Sequence, residues 1–136
     1  MRNKFVSDMI RSEVNFMNLI STSKDLLQQL NECKDRFEKI IQKPEKTEAL
    51  FYKEVRPAFE LVMNQANKWK PLAEAWVKNR KPKYIHLSQI ESTIENIEQI
   101  VLQSFYKDIN KQRFHNLHHS VEYIIKSILA EIDDVL

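Results

Sequence analysis

Four cations fall within six residues at Lys78, Arg80, Lys81 and Lys83, and the aromatic residues Tyr84 and His86 follow directly. Clustered ammonium and guanidinium groups attract phosphates and carboxylates, and a neighbouring phenol ring offers a plane on which a base or ligand ring stacks. The same cations have a purely structural use. At a helix C-terminus they offset its partial negative charge, by about 0.3–1 kcal/mol each when exposed. Were all four to meet phosphates on duplex DNA, binding would fall with salt at a slope of about −3.6, with no sequence preference. The turn is therefore a candidate contact surface for a partner.

A second group lies near the C-terminus, where His115, His118 and His119 precede Glu122. Two histidines four residues apart plus a carboxylate match the donor set of a Zn or Fe site, so His115, His119 and Glu122 form an alternative, metal-binding reading. Helical geometry opposes it. At 100° per residue these three swing roughly 100–160° away from Val121 on the apolar stripe, toward solvent, whereas bundle cofactor sites are built inward. The Glu-x-x-His signature of di-iron bundles is absent. His86 has Gln89 three residues on, the spacing of a reciprocal cap at the start of a helix. No Ser, Cys or Asp stands where it would complete a triad with it. Cys33 is the single cysteine and falls on an apolar helical position, where a thiol packs inertly. The residues thus give no catalytic constellation, no cofactor and no reaction.

The elements that must carry these residues are helices. The 136 residues include no glycine, where average usage would give about nine or ten, so almost no position is expected to need positive φ. A net charge of +2 makes obligate nucleic-acid binding unexpected, and anion binding must come from a local patch. The first residues lack the continuous apolar core of a signal peptide, and no segment approaches the ~20 apolar residues of a membrane span. A cytoplasmic protein without membrane contact is expected, of unspecified oligomeric state.

Apolar residues at Phe16, Ile20, Leu27, Leu30, Cys33, Phe37, Ile40 and Ile41 mark the seam of a first helix, which ends at Pro44. Phe5, Val6, Met9 and Ile10 continue a similar phase, so residues 2–15 either extend this helix, the favoured reading, or form a separate short one, with Thr22 and Asp25 offering a cap at a break. Thr47 is a fair N-cap for a second helix with Phe51, Val55, Ala58 or Phe59, Val62, Ala66, Trp69, Ala73 and Trp76 on its seam. Pro57 predicts a kink or a restart there, and Pro71 offers a second kink. Leu87, Ile90, Ile94, Ile97, Val101 and Ser104 or Phe105 give the third seam, and Phe114, Leu117, Val121, Ile124 or Ile125, Ile128, Ile132 and Val135 the fourth. Short links between long helices predict an all-α, antiparallel up-and-down four-helix bundle with a proline-kinked second helix.

The run Arg80-Lys81-Pro82-Lys83-Tyr84-Ile85-His86-Leu87-Ser88-Gln89-Ile90, with Ile100-Val101-Leu102-Gln103-Ser104-Phe105 and Lys111-Gln112-Arg113-Phe114, closely resembles the YppE-like family of small bacterial proteins of unknown function. The resemblance covers about residues 14–132 and is strongest over 76–114. It implies a cytoplasmic four-helix bundle and assigns no reaction, leaving residues 1–13 as an N-terminal helical extension and 14–136 as the bundle. The resulting expectation is a noncatalytic interaction module for another protein. The metal-binding or metal-dependent reading of His115, His119 and Glu122 and weak nucleic-acid or anion binding at 78–83 are the alternatives.

Overall fold

In the computed structural model, which describes residues 4–135, every long element is helical. Helix α1 runs unbroken from Lys4 to Lys39, so the extension and the first bundle helix are one element. Thr47 then caps α2 (Glu48–Leu50), its hydroxyl accepting the Leu50 N–H at 3.1 Å. A π-helical turn at Phe51–Val55 leads directly into α3 (Arg56–Arg80), with Pro57 in its first turn. Pro57 thus stands in the first turn of α3, but Leu50, Val55 and Arg56 are all right-handed helical and the Arg56 N–H already bonds the Phe51 carbonyl, so the helix passes through this point on the π turn and does not begin afresh. This wide turn was not legible in the sequence. Pro71 sits within α3, which continues through it to Arg80. Helices α4 (Leu87–Tyr106) and α5 (Lys111–Val135) complete an up-and-down bundle in which α1 touches α3, α4 and α5.

The core is built from the periodic apolar positions, with instructive shifts of phase. On α1 the buried line is Leu19, Ser23, Leu26, Leu30, Cys33 and Phe37, alternating steps of four and three, while Phe16, Ile20 and Leu27 are only half-buried. Ile41, expected on that seam, is 94% exposed because the helix has already ended at Lys39. Phe51 is likewise turned outward by the π turn, and Leu87 is exposed at the first position of α4. Both tryptophans are core: Trp69 is fully buried and Trp76 nearly so.

Two lysines occupy the left-handed backbone region that a glycine would ordinarily fill. Lys81 and Lys107 both have φ near 50°, each closing its helix with an N–H bond of 2.9 Å, to the Val77 and Gln103 carbonyls respectively. Left-handed conformation costs an L-residue about 1–2 kcal/mol. At Lys107 the side chain supplies compensation, since its ammonium donates to the Ile40 carbonyl and lies 5.1 Å from the Phe37 ring centre. The same end is tied by Lys43 and Lys46, which reach Asp108 at 2.8 and 2.7 Å and hold its carboxyl below the usual range.

Candidate functional site

The end of α3 delivers the basic run into solvent. Lys78, Arg80, Lys81 and Lys83 are exposed, and none has a carboxylate partner among the described residues. Tyr84 is 70% exposed, with the Lys83 ammonium 5.3 Å from its ring centre. Ile85 dives into the core and fixes the turn between the two helices. His86 is exposed immediately before α4. Its N–H donates to the Gln89 amide oxygen at 2.7 Å, which is the Gln89 half of the predicted cap.

Sequence spacing missed what lies beside this turn. The Arg80 guanidinium rests over the Phe16 ring at 4.8 Å and so joins the turn to α1. At 36 residues α1 is about 54 Å long, against about 38 Å for the 25 residues of α3 and α5. Because α3 ends at Arg80 beside Phe16, the turns of α1 that precede this contact run past the end of α3. There Val6, Met9, Ile10, Val14 and Met17 are exposed on one helix. Between this helix and α3 lies a groove of about 430 Å³, with Phe16, Leu19, Leu72 and Trp76 as apolar lining and Asn15, Asn79 and Arg80 as polar lining. The apolar phase of residues 5–10 was the available signal, but its exposure depends on where the neighbouring helices stop.

The histidines are dispersed. His115 lies 3.6 Å from Glu38 of α1, Glu122 pairs with Lys126 at 3.5 Å, and His119 is exposed beside a cleft formed with Gln89, Thr93 and Asn96 of α4. Among the described residues no three His, Cys, Asp or Glu side chains gather as a metal site would require. His118 instead replaces an apolar residue in the α5 seam. It is 5% exposed, and its Nε2 lies 3.2 Å from the Leu30 carbonyl, so the neutral ring donates there. Cys33 is a buried free thiol whose pKa burial pushes up, partly opposed by Arg36.

His118 gives the protein an acid sensitivity of calculable sign. Burial lowers its pKa below the ordinary 6.5, with Lys34 of α1 and His115 acting in the same direction and Glu122 and the Leu30 carbonyl against it. A depressed folded pKa means that the unfolded chain takes up the proton first. This contribution to stability is complete above about pH 6.5 and is lost as pH falls through the folded value. Urea unfolding at pH 7.5 and 5.5 should show wild type losing more stability on acidification than His118→Gln. Equal losses in the two proteins would remove His118 as the cause.

Residues 23–132 match the family described as a bacterial domain of unknown function, DUF1798. The chain belongs to this family. It is 37% identical over 82 residues to the uncharacterized protein YppE of Bacillus subtilis (strain 168), covering 60% of this chain and 67% of that one. A protein of unknown function from Listeria innocua superposes with a TM-score of 0.79 at 20% identity, over 89% of this chain and 95% of that one. The crystal structure of Bacillus subtilis YppE gives 0.76 at 27% identity, over 87% and 94%. The DUF1798 match begins at residue 23, so the overhanging apolar turns of α1 fall before it. Among the described residues no helix is long and apolar enough to cross a membrane.

Proposed function

We propose that this DUF1798 protein is a noncatalytic interaction module of the cytoplasm, whose contact face is the basic turn together with the overhanging apolar turns of α1. The observation that carries the reading is the Arg80 guanidinium on Phe16. It ties the turn to the helix that carries the exposed apolar residues, and so supports reading the four cations, which have no carboxylate partner among the described residues, and those apolar turns as parts of one contact face. A basic rim beside an apolar stripe complements an amphipathic helix that presents acidic residues beside its apolar side. The partner is accordingly a protein carrying such a segment. Tyr84, aromatic and exposed, is the residue of the turn best suited to anchor it.

The test places a photo-crosslinking amino acid at Tyr84 and maps what it joins in host extract. A single polypeptide, crosslinked through an acidic amphipathic helix, is expected. Reversal of Lys78, Arg80, Lys81 and Lys83 to Glu should abolish crosslinking while cooperative unfolding is retained, and Ile10→Asp should weaken it. Undiminished crosslinking after charge reversal rejects this surface. Steeply salt-dependent retention on duplex DNA, lost in the same variant, would assign the turn to nucleic acid instead.

A further inference from the structure

At the opposite end of the bundle, Arg36 is held in an unusual setting. Its guanidinium sits over the Phe105 ring at 4.1 Å, and one terminal nitrogen donates to the Ser104 hydroxyl at 2.9 Å and touches the Cys33 sulfur at 3.9 Å. The Ser104 O–H in turn donates a hydrogen bond to the Val101 carbonyl at 2.6 Å, which leaves an oxygen lone pair fixed toward Arg36. These groups orient the fork without neutralising it. No carboxylate lies within ion-pair distance of Arg36 among the described residues. A guanidinium carries five N–H donors, and the neutral contacts engage only one of its three nitrogens. Nor is Arg36 needed to satisfy the end of α1 at Ile40, because the Lys107 ammonium already meets that carbonyl.

The fork lines a cleft of about 630 Å³, within the roughly 300–1,000 Å³ range of small-molecule sites. Its other walls are chiefly apolar, with Ile40 just beyond α1 and Leu50, Ala58 and Phe105 contributed by α2, α3 and α4. We infer that this cleft binds a small organic carboxylate, its head on Arg36 and its apolar body among Ile40, Leu50 and Phe105. A pre-oriented guanidinium matches the two oxygens of a carboxylate in parallel, and the apolar walls reward a hydrocarbon or aryl body that water does not. The occupant is monoanionic, because Glu54 also lines the cleft and repels further negative charge. This site is independent of the contact face at the other end of the bundle.

Octanoate is the probe, with acetate supplying the head alone and 1-octanol the body alone. Titration followed by amide and Arg36 Nε–H nuclear magnetic resonance should show saturable octanoate binding that shifts Arg36, Leu50 and Ala58. Acetate and octanol should each bind at least about tenfold more weakly, the loss expected for one charge-assisted bidentate contact or for the buried body. Arg36→Lys keeps the charge but not the fork and should weaken octanoate about tenfold, whereas Glu54→Gln should tighten it. Ala58→Trp fills the apolar side without touching Arg36 and should abolish binding, with cooperative unfolding retained. Absence of saturable octanoate binding to the folded wild type overturns the inference. So does octanol binding as tightly as octanoate, or undiminished affinity in folded Arg36→Lys or Ala58→Trp.

Discussion

Truncating Trp69 to alanine is expected to cost about 3–5 kcal/mol in urea unfolding, the range for removing a large buried aromatic. Trp69 is fully buried on α3 between Ala66 and Ala73, small residues that let the indole reach across to α1. Its Nε1–H donates to the Ser23 hydroxyl at 3.0 Å, and Ser23 is fully buried too. The surrounding helices are anchored elsewhere and relax only partly, so a cavity remains. Trp69→Phe keeps most of the volume but strands the serine hydroxyl, and Ser23→Ala strands the indole N–H. Each should cost about 1–3 kcal/mol, the penalty of a buried polar group without its partner. The double variant Ser23→Ala/Trp69→Phe leaves neither group stranded and should cost less than the sum. A loss below about 1 kcal/mol for Trp69→Ala would contradict the buried position.

This pair also explains what periodicity could and could not find. Long helices, the Thr47 cap, the place of Pro57 in the first turn of α3 and most of the α3, α4 and α5 seams follow from spacing and end signals alone, because apolar burial at steps of three and four sets the seams and cap and proline chemistry sets the ends. The phase of α1 does not. Reading Phe16, Ile20 and Leu27 as the seam treats Ser23 as surface, whereas the indole of Trp69, forty-six residues away, requires a polar acceptor there. His118 escaped for the same reason, since its seam position depends on the Leu30 carbonyl of another helix. The basic turn was legible because its cations are contiguous. Its apolar neighbour and the Arg36 cleft were not, because both arise from residues that only the packing of helices brings together. Likewise, the absence of glycine did not remove positive φ. At Lys107 the tertiary contacts of the side chain help offset the strain.

Replacing Phe114 by alanine is expected to cost about 3–5 kcal/mol, and Phe37→Ala a similar amount. The two rings stack with centroids 3.9 Å apart and planes within 2°, joining α1 to α5 at the end of the bundle where α1 finishes. Both residues are buried, and each contacts more than the other: Phe37 faces the Lys107 ammonium, and Phe114 stacks at 6.4 Å on the His118 ring. Truncating either ring therefore removes area and also loosens a neighbour. A double-mutant cycle should return a coupling of about 0.5–1.5 kcal/mol between the rings, the part of the loss that belongs to their mutual contact. The cycle also measures how firmly this end of α1 is held. Arg36 lies one residue before Phe37 on the same helix turn, and a fork fixed in place requires that turn to be rigid. Weak coupling, below about 0.3 kcal/mol, would mean that the two helices adjust independently and that the stack contributes area alone.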